Sequence, residues 1–181
     1  MRRTVVAVVL AAVVSVASAC GGEAAKSGDT GSSATGRAAD SPKGKGSQLT
    51  LGETVEYATA AGQTLRIKVV SFNPATQPTE EMFKKKGKTY PTAQVELTYV
   101  KGADSFTLDP NALFAFATKE GRTFKADLLA DLAFDTALEE KTLKPGENVT
   151  GLVSFGVEQP QITGGKIQVD DGGTPAATWA V

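Results

Sequence analysis

Residues 143–157 read LKPGENVTGLVSFGV, and this stretch decides the fold. Pro145 holds φ at about −65° and Gly146 accepts a positive φ, so the pair predicts a tight turn. After the turn, alternate positions hold apolar or small residues: Val149, Gly151, Val153, Phe155 and Val157. A two-residue period of this kind is typical of a β-strand with one face in a core. We therefore predict that this segment is a central strand of a β-sandwich.

The same alternation recurs between turn signals over residues 49–181. Further extended segments are predicted at residues 52–57, 63–72, 89–100, 105–108, 112–118, 166–169 and 177–181. Residues 127–138 fit either a short helix or an irregular loop. Many short strands with little helix indicate an all-β antiparallel sandwich. Because the chain has a single cysteine, no intrachain disulfide can stabilise this fold.

Composition narrows the classes of function. The chain has 181 residues with 19 Lys and Arg against 20 Asp and Glu, and its formal charge of −1 gives no support for nucleic-acid binding. It has no histidine and one cysteine. These counts exclude Ser-His-Asp and Cys-His catalytic machinery and the usual zinc sites. We expect a protein that is not an enzyme and that needs no cofactor.

The N-terminus carries an export signal. Basic residues precede an apolar run over residues 4–16, and small residues follow up to Cys20. This order is typical of a secretory signal peptide, here residues 1–19. Residues 17–20 (Ala-Ser-Ala-Cys) resemble the lipobox of bacterial lipoproteins. The resemblance implies cleavage before Cys20, acylation of Cys20 (for example with palmitate), and anchoring on the extracytoplasmic side of the cell membrane. The alternative is plain secretion, with cleavage after Ala19 and a free thiol at the new terminus.

Residues 21–48 form a low-complexity segment. They contain no aromatic residue and no Val, Ile, Leu or Met, and 17 of the 28 are Gly, Ala or Ser. Such a segment buries too little apolar surface to offset the entropy lost on ordering. We therefore predict that residues 20–48 form a disordered linker that starts at the lipidated cysteine. One folded domain is predicted over residues 49–181.

The sharpest cluster of charge is basic. Lys84, Lys85, Lys86 and Lys88, the lysine cluster, lie within five consecutive positions. Clustered cations attract anionic lipid headgroups and anionic polymers. The cluster is therefore a candidate contact with an anionic envelope surface. The alternative is a solvated loop that keeps the start of the next strand soluble.

An acidic pattern lies further along the chain. Asp127, Asp131 and Asp135 recur every fourth residue, so on a helix they would share one face and repel one another. A hard cation such as Ca²⁺ would relieve that repulsion. The three residues are a candidate metal site. The alternative is a solvated polar face opposite neighbouring leucines.

Several segments carry a family resemblance. Residues 51–55, 87–99, 120–124 and 143–155, in this order, resemble the telokin-like, immunoglobulin-like domain of secreted lipoproteins from Gram-positive bacteria, especially actinobacteria. The mycobacterial immunoprotective extracellular antigen is a structural relative of that family. The resemblance implies an immunoglobulin-like sandwich in an extracytoplasmic location. It implies no catalytic residues.

Two functions are compatible with these features. The first is a membrane-anchored extracytoplasmic lipoprotein whose non-catalytic domain binds a protein or an envelope polymer through loops or edge strands. The alternative is a lipoprotein that binds a small ligand or a divalent cation, as an accessory to a transporter or sensor. A pocket with convergent polar groups would favour the alternative.

Overall fold

The computed structural model describes residues 41–78, 81–84, 86–127 and 136–181. Four strands form one sheet, in the order β2 (Thr54–Ala58), β3 (Thr64–Asn73), β4 (Thr92–Lys101) and β9 (Asn148–Ser154). Five form a second, in the order β1 (Ser47–Leu49), β11 (Thr174–Ala180), β10 (Lys166–Asp171), β6 (Phe114–Ala117) and β7 (Thr123–Lys125). Strands β5 (Phe106–Leu108) and β8 (Lys141–Leu143) pair with each other.

Helical structure is minor in the described residues. A four-residue helix α1 (Pro110–Leu113) and two 3₁₀ turns (Glu81–Phe83 and Gln159–Gln161) interrupt the strands. All strand pairs are antiparallel except β1 with β11, which is parallel. The predicted all-β immunoglobulin-like sandwich is therefore confirmed.

Strand β3 shows how the pattern of residues produces the sheets. Leu65, Ile67 and Val69 are fully buried, whereas Arg66 and Lys68 lie on the opposite face. Successive side chains of a strand point to opposite faces, so this alternation turns one face into core. Strands β2 and β4 alternate in phase with β3, and the three strands share one buried face.

A cluster of aromatic rings joins the two larger sheets. Phe116 in β6 stacks on Phe72 in β3 with ring centroids 6.1 Å apart, and it meets Phe155, just after β9, at 5.9 Å. Trp179 in β11 is also buried, and its indole N–H donates a 3.0 Å hydrogen bond to the Glu53 carbonyl oxygen. Burying one such ring contributes about 1.5–3 kcal/mol, and this sandwich has no disulfide to assist it.

The deciding stretch forms β9, and its predicted inward residues are confirmed. Gly151, Val153, Phe155 and Val157 are buried and Val149 is half-buried. The predicted central position is wrong, because β9 pairs with β4 on one side only and ends the four-stranded sheet.

A neighbouring segment explains the burial of β9 at an edge. The Leu152 N–H donates to the Thr136 carbonyl oxygen at 2.8 Å, and the Leu138 N–H donates to the Leu152 carbonyl oxygen at 2.7 Å. Residues 136–138 thus cover part of the outer edge. A covered edge strand and a central strand leave the same pattern of apolar residues in the sequence.

Hydrogen bonds to the domain begin before the predicted boundary at Leu49. Strand β1 pairs with β11, with Ser47 opposite Ala177, and the Lys43 N–H donates to the Thr54 carbonyl oxygen at 2.8 Å. Residues 43–48 therefore hydrogen-bond to the domain although their composition assigned them to the linker. Backbone groups pair with a strand edge whatever their side chains are, and composition does not report this. The predicted signal peptide lies outside the described residues.

Helix α1 replaces the start of the strand predicted at residues 112–118. The Asp109 carboxylate accepts hydrogen bonds from the Asn111 and Ala112 N–H groups, and Pro110 occupies the first helical position. Asp at the N-cap followed by Pro is a strong start signal for a helix. The strand itself begins at Phe114.

Candidate functional site

Three turns meet around a cleft of about 330 Å³. Residues 59–63 join β2 to β3, residues 106–113 include β5 and α1, and residues 170–172 lie at the hairpin between β10 and β11. Each turn belongs to a different sheet. The cleft therefore exists only when all three sheets are assembled.

The cleft has an apolar floor. Leu65 is fully buried, and Phe106 and Leu113 are half-buried against the same core. The Phe106 ring lies 5.6 Å from the Tyr99 ring, which holds it in place. An exposed alanine, Ala61, lies at the rim. A floor of this kind can desolvate the apolar part of a ligand.

Two carboxylates on the β10–β11 hairpin line the cleft, and each is paired with a lysine. Asp170 Oδ2 lies 2.6 Å from Lys125 Nζ, and its Oδ1 accepts a 2.7 Å hydrogen bond from the Gly173 N–H. The lysine contact, supported by the Gly173 N–H, lowers the pKa of Asp170. Asp171 Oδ2 lies 2.6 Å from Lys45 Nζ. Both side chains are largely shielded from solvent.

A third carboxylate faces the same cleft without a lysine. Asp109 Oδ1 caps helix α1 through the Asn111 and Ala112 N–H groups, at 3.0 and 3.2 Å. Its Oδ2 has no hydrogen bond to any described residue. Asp109 is an exposed residue, and this oxygen is an acceptor available to a ligand.

The hydroxyl group of Tyr57 is the anomalous feature of the cleft. The residue is only 4% exposed, and its hydroxyl has no hydrogen-bond partner among the described residues. Burial raises the pKa of Tyr57, and the charges of Asp171 and Asp170 raise it further. The hydroxyl therefore stays protonated near these carboxylates. A buried hydroxyl without a partner costs about 1–3 kcal/mol, so it is a candidate contact for a ligand.

These features together suit a small molecule. The lining combines an apolar floor, a hydroxyl and three carboxylates, and no Lys or Arg among the described residues lines it. The described residues contain no group of three His, Cys, Asp or Glu arranged to hold a metal ion. In the sequence, Tyr57 ends one predicted strand (residues 52–57), and the two adjacent aspartates lie between two others (residues 166–169 and 177–181). No local signal in the sequence brings them together.

The lysine cluster is partly neutralised by acidic neighbours. Lys84 Nζ lies 2.6 Å from Glu81 Oε1, and Lys88 Nζ lies 3.5 Å from Glu158 Oε1. Lys86 is exposed and forms no ion pair with a described residue. The local positive charge is therefore smaller than four lysines suggest. Contact with an anionic surface stays a prediction.

Some predicted site residues lie outside the described part of the chain: Cys20, Lys85, Asp131 and Asp135. Asp127 is described and half-buried, and its N–H donates to the Ser154 carbonyl oxygen at 2.8 Å. Its carboxylate lies against the backbone of Gly156. Asp127 therefore sits beside the end of β9. The cation site that combines it with Asp131 and Asp135 stays a prediction.

A second concavity lies along the edge of β9. Residues 136–141 and residues 148–151 line a groove of about 710 Å³. Hydrogen bonds alternate in direction along an antiparallel strand, so the N–H and C=O of Thr150 point outward like those of Leu152. No described residue outside the strand pair bonds to them. An extended peptide can pair with such an edge.

A family profile described as a domain of unknown function, DUF4352, matches residues 40–172. No curated protein matches the chain. In the described residues, no helix is both long and apolar enough to cross a membrane.

The chain is similar to several solved structures. The secreted protein MPT63 from Mycobacterium tuberculosis is 20% identical with a TM-score of 0.60, and the match covers 74% of this chain and 96% of that one. The yjhA protein from Bacillus subtilis is 18% identical with a TM-score of 0.49, covering 68% and 81%. The candidate lipoprotein ycdA from Bacillus subtilis is 14% identical with a TM-score of 0.44, covering 65% and 36%. The expected likeness to a secreted mycobacterial protein is confirmed for the fold. The telokin-like description stays a prediction.

Proposed function

Because the chain belongs to the DUF4352 family, a domain of unknown function, we propose a function from its own residues. It is an extracytoplasmic lipoprotein, tethered through Cys20, whose non-catalytic sandwich domain binds a small ligand in the cleft at Tyr57. The cleft carries the proposal, because it joins an apolar floor to convergent polar groups. This feature favours the small-ligand alternative over a purely flat interaction surface.

Export and tethering are supported by the N-terminal sequence. The signal peptide pattern ends at the only cysteine of the chain. The similar fold of MPT63, a secreted protein, agrees with an extracytoplasmic location. Two or more acyl chains anchor a protein far more firmly than one. The low-complexity segment after Cys20 would let the domain sample many orientations near the membrane.

We expect the N-terminal peptide of the protein from its native membrane to begin at Cys20 and to carry acyl chains. Cys20→Ser removes the sulfur that the lipid requires, so this variant should lose the acyl mass completely. Ser32→Ala, a matched change in the linker, should leave it unchanged. Mass spectrometry of the N-terminal peptide is the measurement. A peptide that begins at Cys20 with a free thiol would show plain secretion instead.

We expect the cleft to respond to dialysable small molecules from the culture medium. A ligand that binds only the native state stabilises it by about 2.7 kcal/mol at 100 times its Kd. Thermal unfolding of the full chain in detergent should therefore shift upward with the extract. Ala61→Trp, which fills the rim of the cleft, should abolish the shift. Ala75→Trp, an exposed alanine outside the cleft, should retain it. Equal shifts in both variants would contradict binding in the cleft.

A second candidate function is binding of a protein partner. The groove beside β9 and the outward backbone groups of Thr150 favour it, because an added peptide strand would complete that edge. Cross-linking in the native membrane tests this candidate. An adduct that involves residues 148–151 would support it, and absence of an adduct there would count against it.

A further inference from the structure

Resting on the proposed function, we propose that the cleft at Tyr57 selects a cationic ligand, an organic ammonium group carried on an apolar body. The juxtaposition that carries this inference is a buried hydroxyl without a partner beside three carboxylates. The charge of the lining, the hydroxyl and the floor each restrict the ligand in a different way.

The charge of the lining sets the sign of the ligand. Asp109, Asp170 and Asp171 line the cleft, whereas Lys45 and Lys125, which pair with two of them, do not. These groups together carry one net negative charge. Low-dielectric walls strengthen the field of such a charge inside a cleft. An anionic ligand would therefore be repelled and a cationic one attracted.

The hydroxyl provides an observation independent of the acidic residues. Tyr57 is only 4% exposed, and its hydroxyl oxygen has no hydrogen-bond partner among the described residues. An ammonium group can only donate hydrogen bonds. The Tyr57 hydroxyl oxygen and Asp109 Oδ2 can both accept one. An ammonium group placed between these two oxygens would donate a hydrogen bond to each. The ligand-bound state then repairs an unsatisfied group that the free state carries.

The floor distinguishes an organic cation from a metal ion. Leu65, Phe106 and Leu113 offer apolar surface, which a bare cation cannot use. Hard metal ions need several converging oxygen ligands, and the described residues hold no such group. A primary amine with an aromatic or branched alkyl body would contact both the apolar floor and the polar groups of the cleft.

The test uses three probes of one shape and different charge. Phenethylammonium, 2-phenylethanol and 3-phenylpropionate are titrated against the full chain in detergent, and amide shifts around the cleft are followed by NMR. We expect phenethylammonium to bind at least about tenfold more tightly than the alcohol, since hydrogen bonds to a charged group are the stronger kind. We expect no binding of the carboxylate. The preference should weaken as salt is raised.

Variants assign the effect to the named atoms. Asp109→Asn removes the charge but keeps the helix cap, because Asn caps as well as Asp. This variant should bind phenethylammonium about tenfold more weakly. Tyr57→Phe should weaken it by a similar factor. It should also raise the midpoint of thermal unfolding of the free protein, because no unsatisfied hydroxyl remains. Asp104→Asn, an exposed change outside the cleft, should alter neither.

Each other outcome overturns the inference. If the alcohol or the carboxylate binds in the cleft as tightly as the amine, charge selection is wrong while the proposed small-ligand function stands. If Asp109→Asn and Tyr57→Phe both leave amine affinity unchanged, the amine binds elsewhere. If none of the probes binds, the ammonium class is wrong. The thermal shift with medium extract then decides the proposed function separately.

Discussion

Replacing Phe116 with alanine will lower the free energy of unfolding by about 3–5 kcal/mol, the range for loss of a buried aromatic ring. The ring is fully buried in β6 and contacts Phe72 in β3 of the opposite sheet and Phe155 just after β9. Aromatic pairs add about 0.5–1.5 kcal/mol beyond the burial of their area. The alanine variant leaves a cavity between the sheets that the rigid strands cannot close.

Urea denaturation measures this loss, with an unchanged m-value showing that the two-state transition persists. Phe124→Ala is the matched control. Phe124 lies opposite Phe116 on the neighbouring strand β7 but is only half-buried. Its loss should be clearly smaller. Equal losses at the two positions would contradict the packing of the sheets through Phe116.

Gly151→Ala will destabilise the protein by about 1–3 kcal/mol, because the new methyl group meets backbone atoms. A Cβ on Gly151 would lie 2.7 Å from Leu138 Cα and 2.8 Å from Leu138 N. Residues 136–138 must then move away from β9. The two hydrogen bonds that Leu152 makes with that segment would weaken or break.

Hydrogen exchange of the backbone amides shows where Gly151→Ala loosens the structure, and denaturation measures the loss in free energy of unfolding. The N–H groups of Leu138 and Leu152 should exchange faster in Gly151→Ala than in the parent chain. Gly44→Ala is the matched control, because a Cβ there meets no atom within 4 Å. It should change the free energy of unfolding by less than about 1 kcal/mol. Unchanged exchange at both amides in Gly151→Ala would contradict the edge position of residues 136–138.

The sequence pattern predicted which face of a strand is buried better than it predicted which segments lie beside that strand. In β9 the alternation identified the buried residues, because a period of two reports only which side of a strand lacks water. It did not show that residues 136–138 lie alongside, and it therefore suggested a central strand. The same limit applies to residues 43–48, whose pairing with strand edges depends on backbone groups.

The cleft could not be predicted from local patterns. Tyr57 lies in a segment predicted to be extended, but the missing partner of its hydroxyl depends on three turns far apart in the chain. Asp170 and Asp171 lie between two predicted strands, and in the structure they end β10 at its hairpin with β11. Helix α1 is a different case, since the capping signal of Asp109 and Pro110 was present in the sequence.

The central claim is that the cleft at Tyr57 holds a small molecule in the native protein. The most direct measurement is mass spectrometry of what the protein releases on denaturation, after isolation from the cells that make it. We predict that the parent chain and Ala75→Trp release one small molecule in amounts close to that of the protein, and that Ala61→Trp releases none. Release of the same molecule by all three, or of none above the buffer blank by the parent chain, would contradict the claim.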